Sequence, residues 1–220
     1  MYGTASAGGA ANKGTVFSVP LKGGTVRLLY SFTGKSDGET PVAGLVEYGG
    51  KLYGTTTGGG KQARGTVFEI APTGAERTVY AFKAVGDPTV SQSAMIAANG
   101  TLYGTGWIGA ANNVGGVFAV DPVAGTERVL YSFATDVGYR PAGRLLLVQQ
   151  KLYGTAQSGG ANRSGIVFSV KLDGGLDNYF SLDQADGVQP GSGLTAAANG
   201  ILYGSARYGG TGDKGTIFKF

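Results

Sequence analysis

An all-β fold, built as a β-propeller of four-stranded antiparallel blades, is predicted by three observations. First, a triplet recurs about every 50 residues, as Tyr2-Gly3-Thr4, Tyr53-Gly54-Thr55, Tyr103-Gly104-Thr105, Tyr153-Gly154-Thr155 and Tyr203-Gly204-Ser205. Second, the segments between turns are about six residues long and alternate with period two. Third, the 42 glycines among 220 residues sit at positions locked to the repeat, which marks turns rather than a flexible tract. A unit of this size cannot hide its own apolar faces, so neighbouring units must stack.

Residues 41–82 show the elements in order. Segment A, Ala43 to Tyr48, enters after Pro41 and closes at Gly49-Gly50. Asn99-Gly100 and Asn199-Gly200 hold the same place elsewhere, and Asn-Gly is a strong hairpin signal. Segment B, Lys51 to Thr57, ends at Gly58-Gly59-Gly60. Segment C, Gly65 to Ile70, carries Phe68 and Ile70 on one face and Val67 on the other. Both faces are therefore apolar, as a sheet sandwiched between two others requires. Segment D, Arg77 to Phe82, follows the Pro72-Thr73-Gly74 turn.

The chain thus reads as one domain, 1–220, with blades over 1–32 (partial), 41–83, 90–133, 141–182 and 190–220 (partial). About five blades result. The first lacks segment A and the last lacks segment D, so the expectation is either imperfect closure or a piece of a longer array in the same polypeptide.

Composition excludes several classes. There is no cysteine, which removes disulfides and thiolate chemistry, and no histidine, which removes imidazole triads and His-metal clusters. The net charge of +4 comes from dispersed Lys and Arg, unlike the concentrated basic face of a nucleic-acid binder. Residues 1–9 lack a basic region and an apolar core, so no signal peptide is expected there. The apolar run Leu145–Val148 is too short to insert in a membrane. No cofactor is expected.

The blocks Leu52–Gly60, Gly65–Phe68, Leu29–Phe32 and Asp37–Leu45 together resemble the GloVer-type tandem repeat of bacterial proteins, and the resemblance spans essentially the whole chain. It implies a secreted or surface-anchored propeller, with a role that is non-enzymatic or unassigned. It carries no catalytic residues onto this sequence.

Two features fall where the D–A and B–C connections are expected to emerge together, around a central channel. Asp37, Asp87, Asp136 and Asp186 recur in the D–A connections and would ring the channel mouth, where they could accept sugar hydroxyls or hold a hard cation. Turn chemistry is the simpler account of them, since each blade needs the same turn, and no metal site is assigned. The B–C loops, such as Gly59 to Arg64 and Gly159 to Ser164, vary more than the strands beside them, as recognition loops on a scaffold do. Trp107, the single tryptophan, breaks its B-segment pattern; it reads as a packed aromatic or as a sugar-stacking platform.

The leading expectation is a non-catalytic module that binds a glycan or protein ligand outside the cell. The alternatives are a carboxylate-dependent glycoside hydrolase or lyase using Asp87, Asp136 and Asp186, and a purely structural spacer of a surface protein.

Overall fold

The computed structural model describes residues 1–220 and contains strands and turns but no helix. The first sheet holds β1 (Tyr2–Ala5), β2 (Thr15–Ser18) and β3 (Arg27–Ser31). The second holds β4 (Val46–Tyr48), β5 (Lys51–Thr55), β6 (Thr66–Ile70) and β7 (Glu76–Ala81). A short β8 (Pro88–Thr89) leads to the third, with β9 (Ile96–Ala98), β10 (Thr101–Gly106), β11 (Ile108–Gly109), β12 (Gly116–Asp121) and β13 (Thr126–Ser132). Here β8 pairs with β11, beyond the end of β10. The fourth holds β14 (Gly138–Pro141), β15 (Leu146–Val148), β16 (Lys151–Gly159), β17 (Ile166–Lys171) and β18 (Leu176–Ser181). The fifth holds β19 (Val188–Pro190), β20 (Thr195–Ala196), β21 (Leu202–Tyr208) and β22 (Thr216–Lys219). Each sheet is antiparallel and contiguous in sequence.

Segment A is not the single strand that the sequence suggests. In the fourth sheet it splits into β14, paired with the far end of β16, and β15, paired with its near end. The second sheet has the same break: Glu39 bridges Gly58, while Val46 pairs with Tyr53. A left-handed residue marks the break, within or just after the first half, at Thr40, Val90, Arg140 or Gln189, with φ of 58°, 56°, 60° and 57°. That turn aims the backbone N–H sideways. Thr40, Arg140 and Gln189 donate it to the carbonyls of Lys13, Val114 and Ser164 in the preceding sheet, at 2.8, 3.0 and 2.9 Å. The prolines that follow (Pro41, Pro141 and Pro190) pack where a side chain on Gly14, Gly115 or Gly165 would collide with them. Inter-sheet spacing is thereby set at backbone distance.

The C strands of the second to fourth sheets are the most buried, and Thr66–Ile70 are buried at every position. Within each sheet the C-strand phenylalanine lies over the glycine of the triplet; an added Cβ on Gly104 would lie 2.5 Å from the Phe118 ring. Between sheets the D-strand phenylalanine meets the next C-strand phenylalanine edge-on. The centroids are 5.0 Å apart for Phe32–Phe68, 5.2 Å for Phe82–Phe118 and 4.9 Å for Phe133–Phe168. The opposite face carries Val16, Val67, Val117 and Val167, all fully buried against the following sheet.

Bulges at Val16/Phe17, Val67/Phe68 and Val117/Phe118 leave Leu29, Val79 and Leu130 unpaired in their ladders. The freed Leu130 carbonyl accepts from Gly175 N–H of the next sheet at 2.8 Å. Outer strands are thus stitched together as well as inner ones. Arg128 adds to this by donating to the Asp173 and Leu172 carbonyls at 2.6 and 2.9 Å.

Candidate functional site

The D–A and B–C connections share one end of the molecule, as their pairing beyond the main strands requires. All five B–C loops take one backbone form. Gly14, Gly65, Gly115, Gly165 and Gly215 donate to the carbonyls of Gly8, Gly59, Gly109, Gly159 and Gly209. Loop variation is therefore a matter of side chains.

The four aspartates separate into two groups. Asp37 is buried and accepts from Tyr30 Oη (3.0 Å), Thr33 N–H (2.7 Å), Thr33 Oγ1 (2.6 Å) and Lys35 N–H (3.2 Å). Burial pushes its carboxyl up, but the bonds from Thr33 and Tyr30 outweigh that and hold it below the usual range. Asp87 is buried likewise and accepts from Tyr80 Oη at 2.7 Å and Lys83 N–H at 2.8 Å. Both serve the turn and the outer-strand tyrosine. Asp136 is exposed and caps only its neighbour Val137. Asp186 is half-buried and donates its own N–H to Asp183. The connection after Phe133 or Leu182 is one residue shorter than that after Phe32 or Phe82, which moves these aspartates out of equivalent positions. Phe180 also stands where Tyr30 and Tyr80 supply a hydroxyl.

The inner strands of the third to fifth sheets enclose an apolar axial trough of about 440 Å³, lined by Ile96, Leu145, Leu147 and Leu194 among others. None of the four aspartates lines it. Asp136 instead borders a polar cavity of about 420 Å³ with Thr135, Tyr139 and Arg163.

Around the mouth, the left-handed residue of each split A strand lies across from the residue just past the B-strand core. The ladders place Arg140 opposite Gln157, between the pairs Tyr139–Ser158 and Pro141–Ala156, and Gln189 opposite Arg207. Thr57 N–H donates to the Thr40 carbonyl at 3.2 Å, and Trp107 N–H to the Val90 carbonyl at 3.4 Å. The rim therefore consists of Thr40/Thr57, Val90/Trp107, Arg140/Gln157 and Gln189/Arg207 on successive sheets. Its backbone repeats and its side chains do not. No carboxylate belongs to it.

Trp107 serves its neighbour in the next sheet. The Arg140 guanidinium stacks 5.5 Å from the Trp107 ring and 5.7 Å from Tyr139. Arg207 lies 5.3 Å from Tyr208. Neither guanidinium has a protein acceptor, and both arginines are exposed. Beside Arg207 a polar cavity of about 280 Å³ is lined by Gln157, Gln189, Ser192, Ser205 and Arg207. The rim was missed in the sequence because its members come from two separated columns of the repeat. The signal was there: the position before Pro41, Ser91, Pro141 or Pro190, and one past the triplet's strand, change identity from unit to unit.

Glu127, on the outer strand β13, is a further group that the sequence did not single out. One of its carboxyl oxygens is buried without a partner. Burial first, and the Asp87 charge second, push its pKa up to about 7 against the opposing pull of Lys83. Glu76 repeats the arrangement against Asp37, again raised chiefly by burial. Glu69 goes the other way. Burial would raise it, but Arg77, Lys51 and Tyr53 at 2.6, 2.6 and 2.9 Å bring it down to about 2.

The family model described as the Gloeobacter/Verrucomicrobia repeat matches residues 1–87 and 77–220. No curated protein matches. Among solved structures, the chain is similar to one in a nidogen/laminin complex (TM-score 0.59, 15% identity, 92% of this chain and 68% of that one). It is similar to a gluconolactonase from Xanthomonas campestris (0.56, 16%, 95% and 69%). It is also similar to TolB from Acinetobacter baumannii (0.57, 13%, 98% and 49%). At these identities the likeness shows the fold alone, which is β-propeller-like.

Proposed function

Because this chain belongs to the Gloeobacter/Verrucomicrobia repeat family, we propose that it is a non-catalytic module presenting one end of a propeller scaffold to a glycan or protein ligand outside the cell. The scaffold is read as about five blades of four strands, with the first and last incomplete. The observation that carries the reading is the rim. Its backbone is held in a left-handed conformation sheet after sheet, at an energetic cost, while its side chains differ each time. Inter-sheet hydrogen bonds account for the backbone, but they prescribe no side chain there. Positions that vary on a fixed frame are where recognition is tuned. The test is binding of the intact protein to a panel of oligosaccharides and peptides, read by calorimetry. Heat from at least one class, lost when rim residues are changed, is the expected result; silence across both classes ends the reading.

A carboxylate-dependent glycoside hydrolase or lyase is the second reading. One observation favours it: Glu127, raised to about 7, stands beside the Asp87 carboxylate, the pattern of an acid paired with a base. The same pattern recurs at Glu76 and Asp37, and neither pair lines a cavity described above, so inter-sheet packing accounts for it equally. Release of reducing ends from a polysaccharide, abolished in Glu127→Gln, would establish the enzyme.

A further inference from the structure

We propose that the rim binds a carboxylate-bearing oligosaccharide, with Arg140 and Arg207 each taking one acidic sugar unit. This rests on the binding-module reading and narrows it to one ligand class. Three observations at and beside the rim converge. The first is charge: two arginines, no carboxylate, and no protein acceptor for either guanidinium. A guanidinium with no protein acceptor is free to take an anion, and its planar fork matches a carboxylate with two parallel hydrogen bonds. The second is preorganisation. Arg140 lies against both Trp107 and Tyr139, 5.5 and 5.7 Å from their ring centres, on a backbone at φ 60°. The entropy of ordering that side chain is thus partly met before ligand arrives. The third is the lining beside Arg207, which reaches Gln157, the ladder partner of Arg140. Gln157, Gln189, Ser192 and Ser205 offer amides and hydroxyls around about 280 Å³, which is room for a single ring rather than a drug-sized ligand.

The same lining selects sugar over acidic peptide. Amides and serine hydroxyls can each donate to and accept from ring hydroxyls, and the cavity offers one apolar side chain, Ala206, to a peptide. Arg140 and Arg207 belong to adjacent sheets, so a ligand with charge on successive units engages both, and one acidic unit engages half the site. Trp107 acts as a positioning residue here. Its ring is occupied by the Arg140 guanidinium and serves to orient that group.

The experiment titrates the intact protein with tetragalacturonate, with neutral cellotetraose, and with a hexaglutamate peptide. Tetragalacturonate is expected to bind, and to weaken as salt rises from about 0.05 M to about 0.5 M. Arg140→Gln and Arg207→Gln are each expected to weaken it about tenfold or more, with unchanged melting temperature. Trp107→Leu is expected to weaken it less than Arg140→Gln does, and to add nothing in the double variant. Lys22→Gln, an exposed charge change in the β2–β3 turn at the opposite end of the sheets, leaves binding unchanged. Equal binding of cellotetraose, or indifference to both arginine variants, overturns the acidic-sugar site while leaving glycan binding in place. Equal binding of hexaglutamate overturns the sugar. Silence of tetragalacturonate overturns this inference, and the broader panel then decides the parent reading separately.

Discussion

The glycine–phenylalanine pairs of the hairpins and the positions of the rim repeat equally faithfully in space, yet one set keeps its residues and the other does not. Gly54, Gly104, Gly154 and Gly204 each lie under a phenylalanine ring that leaves no room for a Cβ, so the residue is dictated by sterics. Thr40, Val90, Arg140 and Gln189 share a backbone conformation, but their side chains are at most half-buried and nothing packed around them prescribes an identity. The difference teaches where selection by packing stops. The frame is over-determined by its neighbours, and the side chains of the rim are not.

The frame should break first. Phe118→Ala, at a fully buried site, is expected to cost about 3–5 kcal/mol in urea unfolding, and Phe17→Ala, half-buried on the open face of the first sheet, clearly less. Equal losses would show that inter-sheet stacking is not what holds the frame. A second contrast uses the opposite face. Val67 is 0% exposed and Ile217, its counterpart in the fifth sheet, is 83% exposed. Val67→Ala is expected to cost about 2 kcal/mol and Ile217→Ala under about 0.5 kcal/mol.

Much of this frame is legible in the sequence. Period two assigns Phe68 and Val67 to opposite faces, and both faces prove buried. Gly49-Gly50 and Asn99-Gly100 form the tight turns their composition implies, with both residues at positive φ in each. The split of segment A was not legible, because Thr40 and Val90 are β-branched residues that seldom adopt φ near 57° and give no turn signal. That split is what builds the rim, so the rim was hidden with it. The aspartates misled for a related reason. Their spacing looks even, but a one-residue deletion and the loss of a hydroxyl at Phe180 place Asp136 and Asp186 in different surroundings from Asp37 and Asp87. Trp107 stood out alone; its partner Arg140 lies in the next repeat.

Two smaller effects sharpen the contrast. Glu127 belongs to the frame but is poorly solvated as an anion. Its folded pKa of about 7 exceeds the ordinary carboxyl value, so its contribution is full below the unfolded pKa and is lost as pH rises through about 7. Glu127→Gln is therefore expected to match wild type near pH 4 and to gain about 1–2 kcal/mol at pH 8, allowing for solvent screening. Thermal melts across that range check it, and a variant less stable at pH 8 would contradict the assignment. Gln189→Gly is expected to have the smallest effect and the opposite trade. It relieves a left-handed, exposed residue and should gain about 0.5–1 kcal/mol, while weakening the rim's hold on ligand. A loss of stability would mean that the Gln189 side chain is part of the frame.

The most direct test of a constant frame carrying a variable binding rim is a two-dimensional amide spectrum of the intact protein, recorded with and without tetragalacturonate. The account predicts shifts confined to the Trp107 indole N–H and to the amides of Arg140, Gln157, Gln189 and Arg207, with the opposite-end turns at Gly49-Gly50 and Gln149-Gln150 unmoved. Shifts at those turns or along the exposed face of β22, with the rim silent, would contradict it.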